Sequence, residues 1–482
     1  MKEYDVIAIG SGSSMNIIPA MMRSNPNLRA AVIDKDDPGG ICLTRGCIPT
    51  KMLVYPAELV RIIQDAEKFG IDAPIKKIDF QKVMDRMHSH IKPQIEGIRK
   101  GLGSSPGIDY YPVPAEFIAP YTLKVGKETI TSKFILLCLG SEVAIPPIPG
   151  LDKIKYHTSD TILEIKKLPE SILIIGGGYI AAEYGHFFSA MGSQVTIIGR
   201  NPQFLPQEEP EISLLALKEM SRNMKIILNN EVIEAKEGLT GKKTLIARDR
   251  VSGKTISVSA DQVLVAVGRS PNTDILHPEK SGIELDEKGW VKTNQYLETS
   301  LPGIWAFGDA NGKHLFKHVA NYESMVVYYN AVLKKQMAVD YHAVPHAVFL
   351  YPEIAGVGMT EAQAIKTVGE ENILIGFQKY EDTAKGMAMD AEGYFAKVIV
   401  EAKNRKILGA HIIGPQASVL IQEIINLMYT QSGSLIPLTM AMHIHPGLSE
   451  VVERACQGLM PPAQYQHMLM HERGEAHAEY SH

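Results

Sequence analysis

The sequence predicts an α/β fold built on two successive strand–turn–helix–strand units, and three observations carry that prediction. An apolar run ending in a cluster of glycines occurs at residues 5–12 and again at 171–178. Each cluster is followed by a helical stretch and a second apolar run, the period changing from strand to helix and back. At 482 residues the chain has room for about three domains, so both units and a further region fit.

The first unit opens with the strand Asp5-Val6-Ile7-Ala8-Ile9 and the turn Gly10-Ser11-Gly12-Ser13-Ser14-Met15. A helical segment leads to Ala30-Ala31-Val32-Ile33-Asp34, a strand that ends in an acid. This is the order of a dinucleotide-binding βαβ unit. Gly10 and Gly12 permit a tight turn and let backbone N–H groups approach a pyrophosphate, and Asp34 is placed to accept from a ribose hydroxyl. Met15 in the third glycine position and Pro19 early in the helix depart from the pattern. Alone, the motif would also suit an ordinary strand-turn-helix.

Next comes Gly39-Gly40-Ile41-Cys42-Leu43-Thr44-Arg45-Gly46-Cys47-Ile48-Pro49-Thr50-Lys51. Two thiols separated by four residues can close a disulfide across one turn, and Pro49 predicts a helix starting close to Cys47. A helix N-terminus favours thiolate, the form that attacks disulfides, and Lys51 adds a cation. Zinc would need about four ligands, whereas the other cysteines, Cys138 and Cys456, are single and distant. Cys138 lies in an apolar run and reads as an inert strand residue. A static crosslink would suit a secreted chain, but this one begins with Met1-Lys2-Glu3 and enters its first strand at once, so a cytoplasmic setting is expected. A redox-active pair is the strongest reading. Farther on, Val83, Met87, Ile91, Ile95 and Ile98 recur at helical spacing, with Pro93 expected to bend that helix.

The second unit runs through Ser171-Ile172-Leu173-Ile174-Ile175 and Gly176-Gly177-Gly178-Tyr179-Ile180-Ala181-Ala182-Glu183 to the strand Val195–Ile198. Gly199 and Arg200 stand where an acid is usual. An acid binds a free 2′-hydroxyl and repels a 2′-phosphate; arginine does the reverse, and Ala181 in the third glycine position points the same way. NADPH is therefore favoured over NADH, against the alternative that Arg200 is a solvated surface residue. Two units, one with the acid and one without, predict two different dinucleotides, and a flavin with a nicotinamide makes chemical sense beside a disulfide.

With 45% hydrophobic and 21% charged residues, the composition is ordinary for a soluble globular protein. The net charge of −5 leaves no basic footprint for nucleic acid, and no apolar run is long enough to span a membrane.

These motifs resemble the pyridine nucleotide–disulfide oxidoreductases, and most closely the dihydrolipoamide dehydrogenase branch. The cysteine segment is similar to that family's pattern, with Thr50 in place of the usual serine. Leu139-Gly140-Ser141 before Ile145–Gly150, Ala266-Val267-Gly268-Arg269-Ser270-Pro271-Asn272, the stretch Thr299–Asp309 containing Gly308-Asp309, and Met442–Glu450 follow in the family's order. The resemblance implies a flavin part at 1–148, a nicotinamide part at 149–272, a return to the flavin at 273–343, and an α+β dimerisation domain at 344–462 with an antiparallel sheet. A polar tail, 463–482, would follow. Its His467, His471, His477 and His482 could collect metal, but a mobile end is the preferred reading, and no metal ligand is assigned.

The resemblance also implies roles. Gly10, Gly12, Asp34, Lys51, Gly140, Ser141, Gly308, Asp309 and Ala320 would hold FAD. Gly176, Gly178, Ala181, Arg200, Gly268 and Arg269 would belong to the nicotinamide side and its return. Tyr179 would be a lid over one flavin face, and Lys51 and Glu183 an ion pair beside it. Cys47 would take electrons from the flavin and Cys42 would exchange with substrate. His445, oriented by Glu450, would serve the opposite subunit's thiols, so a homodimer would share its active sites; His443 is the decoy. Lipoamide ranks first as substrate, narrowly, before a small thiol disulfide such as mycothione or glutathione disulfide, which Arg200 and Leu315–Asn321 favour. A slow redox sensor or a transhydrogenase would have less use for the complete set of thiols, His445 and Glu450.

Overall fold

A computed structural model describes residues 1–238 and 241–479, with side chains as far as His471. The chain divides into two compact units: residues 1–176, 234–245 and 258–340 form one, and 177–233, 246–257 and 341 onward form the other.

The first unit is organised by a five-stranded parallel sheet in the order Ile304–Ala306, Ile135–Leu137, Val6–Ile9, Ala30–Ile33, Ile108–Tyr111. Four of these strands are buried at every position, which is why they read as continuous apolar runs with no alternation. The crossover after Ile9 departs from a simple helix. A 3₁₀ turn, Ser13–Asn16, precedes a short helix, Ile18–Ser24, that carries Pro19 in its first turn, where a missing N–H costs little. Beside this sheet, Ala115–Ala119, Thr122–Val125 and Glu128–Thr131 form an antiparallel meander. The helix Phe80–Ser104 buries Met84, Met87, Ile91 and Ile95 and continues through Pro93, which lies on its exposed side. The same unit holds the parallel strands His157–Thr158, Gln262–Val265 and Ser171–Ile175.

In the second unit, the helix Tyr179–Met191 is followed by the parallel pair Gln194–Ile198 and Lys225–Ile227. Its C-terminal part is a six-stranded antiparallel sheet, ordered Pro345–Val348, Ile354–Gly358, Ile407–Ile413, Phe395–Glu401, Ile373–Lys379, Leu459–Met460. Val357, Val398 and Ile412 of the sheet share one core with Ile424 of the helix Ala417–Met428 and Val451 of the helix Ser449–Gln457. Burying one sheet face under helices accounts for the apolar stripe along each helix. The fold is thus mixed α/β followed by an α+β region. The tail is helical over Pro462–Glu479, with the His467 and His471 rings 4.5 Å apart; the side chain of His477 and all of His482 lie outside the described residues.

Candidate active site

Gly40, at φ 78°, starts a one-turn helix, Ile41–Thr44, and Gly46 then lets the chain double back. A β-carbon on Gly46 would meet the Ile41 carbonyl oxygen at 2.9 Å and the Cys42 α-carbon at 3.2 Å, so only glycine lets the two cysteines come this close. Cys47 is the first residue of the long helix Cys47–Asp65, where backbone N–H groups favour negative charge. Lys51 follows one turn later and is half-buried. The pair is in its dithiol form, with the Cys42 side chain hydrogen-bonded to that of Cys47. That hydrogen bond, and then burial, push the Cys42 thiol well above its ordinary range, while the charge of Lys317 opposes them. Attack by Cys42 on a disulfide therefore calls for a base to take its proton. Cys138 lies just past its strand and against Gly12, and burial pushes its thiol up to about 11. Cys456, in the Ser449–Gln457 helix, is pushed to about 12 by burial. Neither would ionise near neutral pH.

The first glycine turn sits at the C-terminal end of the central strand. Gly10 has φ 97°, and a β-carbon there would fall 2.0 Å from the Cys138 carbonyl oxygen. Asp34, at the end of the neighbouring strand, accepts from the Ser11 N–H (2.9 Å) and hydroxyl. The Gly39 N–H donates to the Ser11 hydroxyl at 2.9 Å, which ties the loop before Cys42 to this turn. Asp309 follows a third strand of the same sheet. It accepts from Ser141, whose hydroxyl accepts in turn from Arg269 Nε. Gly140 (φ 67°) precedes Ser141, and Gly268 (φ 126°) precedes Arg269 with open space on its Cβ side. A β-carbon on Gly308 would come 3.0 Å from that of Ala320. Burial raises the carboxyls of both Asp34 and Asp309. Two desolvated acceptors and a bare backbone turn at the carboxyl ends of one parallel sheet fit a dinucleotide's sugar hydroxyls and pyrophosphate. The residues fit FAD.

Sequence reasoning passed over two residues here. Lys317 Nζ donates to Ser13 Oγ at 2.9 Å and faces Cys42 electrostatically. Glu323, fully buried, accepts from the Gly308 N–H (2.5 Å) and from Asn311 (3.1 Å), which holds the turn that presents Asp309. No local spacing marks either one, because their partners lie 12 to 304 residues away.

The second glycine turn has the same construction. Gly176 has φ 136°, and a β-carbon there would meet the Ala266 carbonyl oxygen at 2.2 Å. Gly178 caps the helix that begins at Tyr179, and Ala181 is fully buried inside it. Glu183 is buried, and its Oε1 accepts from the Phe349 N–H at 3.2 Å, so it is not a solvated helix residue. Arg200 is exposed at the end of its strand, and its carbonyl accepts from Arg250 Nη1 at 3.1 Å. Arg250, fifty residues downstream, carries no motif and was missed.

His445 and Glu450, paired by the family resemblance, lie within hydrogen-bond distance of each other. Nδ1 of His445 is 3.0 Å from Glu450 Oε1, and Glu450 also accepts from the Gly447 N–H (3.2 Å) and Arg454 (3.3 Å). The imidazole is 67% exposed while the carboxylate is 8% exposed, so the acid anchors a ring that faces outward. The hydrogen bond to His445 holds the Glu450 carboxyl below the usual range. His443 points instead between Glu423 (3.6 Å) and Glu453 (3.5 Å). Among the described residues, one trio of acids, Glu209, Glu211 and Glu361, has the spacing to surround an ion, and the Lys397 ammonium stands 2.6–3.1 Å from all three. No described helix is long and apolar enough to cross a membrane.

Residues 4–332 match the family described as pyridine nucleotide-disulphide oxidoreductase, and 344–456 match its dimerisation domain. Mycothione reductase of Mycobacterium tuberculosis is 37% identical over 473 residues, covering 95% of this chain and 100% of its own. A dihydrolipoyl dehydrogenase of Thermus scotoductus is 32% identical, covering 95% and 98%. Among solved structures, the Cu(II) complex of the HOCl-induced flavoprotein disulfide reductase RclA from Escherichia coli superimposes with a TM-score of 0.83 at 27% identity, covering 95% and 99%.

Proposed function

The chain belongs to the pyridine nucleotide-disulphide oxidoreductases, flavin-dependent disulfide oxidoreductases, and on that premise we propose that it uses NADPH to reduce a low-molecular-weight disulfide of the mycothione kind. The observation that carries the reading is the arginine pair, Arg200 and Arg250, at the strand end where this class of site otherwise keeps an acid. The mycothione reductase likeness over the full length of both chains supports the same substrate class. FAD, when bound, would accept an electron pair from the nicotinamide and deliver it to the sulfur pair.

The protein's own part then follows from its side chains. Asp34, Asp309 and the Gly10–Gly12 backbone hold the coenzyme, with Gly140, Ser141 and Ala320 lining the same place. Lys51 would supply positive charge to the coenzyme when it is bound, Glu183 would supply a carboxylate, and Tyr179 would be the lid. Cys42, protonated in the dithiol, gives its proton to His445 supplied across a homodimer and attacks one sulfur of the substrate. The first substrate thiolate leaves and takes that proton. Cys47 then attacks the Cys42 sulfur and restores the disulfide, its own proton passing to the second substrate thiolate as that leaves. Glu450 keeps the imidazole in place and stabilises its charged form.

Oxidation of dihydrolipoamide is the second reading. The His445–Glu450 stretch and the dihydrolipoyl dehydrogenase likeness favour it. Steady-state assays with NADPH and NADH against mycothione, glutathione disulfide and lipoamide test the choice. NADPH with mycothione or glutathione disulfide should give the highest kcat/KM. Preference for NADH with lipoamide would replace this reading with the second.

A further inference from the structure

Glu208 is a carboxylate whose side chain is fully excluded from solvent, and it spends its two oxygens on a narrow set of partners. His346 Nε2 lies 2.9 and 3.1 Å from its two oxygens. The Tyr179 hydroxyl makes the other hydrogen bond to it. The Tyr179 ring also lies flat against His346, with centroids 5.9 Å apart and planes 9° from parallel. The three side chains thus form a closed triangle of hydrogen bond, hydrogen bond and ring stack.

Each corner is fixed from behind. The Leu205 N–H donates to the Gly177 carbonyl at 2.9 Å, and the Glu208 N–H to Leu205 at 3.0 Å, so the loop bearing Glu208 is tied to the glycine turn before Tyr179. His346 sits on the edge strand Pro345–Val348, directly opposite Gly356, which in turn pairs with His411. A β-carbon on Gly356 would come within 2.6 Å of His346 Cε1 and 3.0 Å of His411 Nδ1, so glycine is what leaves room for the two rings. A buried carboxylate is costly unless it is hydrogen-bonded, and an apolar side chain would fill this space without that cost. If Tyr179 moves away, Glu208 loses one of its two side-chain partners and His346 loses its stacking face.

We infer that Glu208 and His346 are positioning residues that latch Tyr179 in its closed place, so that the latch sets how readily a nicotinamide ring can enter. The inference rests on the reading of Tyr179 as the lid. A ligand that binds only the open form has its affinity reduced by the fraction of protein that is open. Weakening the latch therefore tightens nicotinamide binding, the opposite of what loss of a cofactor contact does.

Calorimetric titration of NADP⁺ into the holoenzyme tests this. E208Q and Y179F should each bind it about three- to tenfold more tightly than the unsubstituted protein. The double variant should be no tighter than Y179F alone, because Y179F already removes the hydrogen bond that E208Q weakens. G356A, whose new methyl displaces His346 without altering the carboxylate, should move affinity in the same direction. In turnover, KM for NADPH should fall while kcat does not rise with it. Unchanged affinity in E208Q and G356A, or additive effects in the double variant, would overturn the latch. Y179A separates the two levels: tighter binding in Y179A with E208Q inert rejects the latch alone, whereas Y179A without effect rejects the lid reading and the latch with it.

Discussion

Replacing Arg200 by glutamate probes the cofactor reading most directly. Arg200 and Arg250 are both exposed, and a hydrogen bond runs from the Arg250 guanidinium to the Arg200 backbone carbonyl. Each can therefore offer a 2′-phosphate one charge-assisted contact from a solvated position. Such a contact lies at the low end of the charged hydrogen-bond range, about 1.4 kcal/mol, or about tenfold in affinity. Arg250→Ala should lower kcat/KM for NADPH about tenfold. Arg200→Glu should do at least as much, since it also adds repulsion. The two changes together should cost about a hundredfold, with kcat/KM for NADH held or improved. The assay is the ratio of kcat/KM for the two nucleotides, measured at about 0.05 and 0.5 M salt. Because the contacts are exposed, the preference of the unsubstituted enzyme should shrink at the higher salt. A ratio unmoved by either substitution would show that these arginines do not face the ribose and would remove the support for NADPH.

Three further outcomes are expected. Glu450→Gln should slow disulfide reduction about 10- to 100-fold while rapid-reaction reduction of the flavin by NADPH stays at the normal rate. The Glu450 carboxyl is held low by His445, so its contribution to stability is present at neutral pH and is lost as pH falls through the depressed value; melting curves of Glu450→Gln and the unsubstituted protein should converge in acid. Asp309 has the opposite sign. Burial raises its carboxyl, so stability is fullest at low pH and declines as the group ionises on the way to neutral. Asp309→Asn should accordingly raise the melting temperature of the flavin-free protein at pH 7 and narrow its advantage in acid, while retaining less FAD on gel filtration. Gly10→Ala should yield protein without a flavin spectrum, because a β-carbon 2.0 Å from a backbone carbonyl, at φ 97°, cannot be accommodated without moving the turn.

What the sequence alone determined is what lies within a few residues along the chain. Cys42 and Cys47 are five apart and Tyr179 and Glu183 are one helical turn apart, so spacing alone puts each pair on one turn or helix face. The pairing of His445 with Glu450 came instead from the family resemblance of that stretch. The glycines at 10 and 176 were legible for a similar reason: each answers a backbone requirement that appears as a residue type. Pro19 and Met15 were legible as departures from the glycine pattern, but the 3₁₀ turn and short helix that replace a simple crossover helix were not. Tertiary structure decided the rest. It brought Arg250 to Arg200, Glu323 under Gly308, Lys317 to Ser13, and His346 to Glu208. Those partners are set by which strands are neighbours and how loops pack on them. A lone arginine, glutamate or histidine carries no periodicity to announce its partner, and only the packing of distant segments turns it into part of a site.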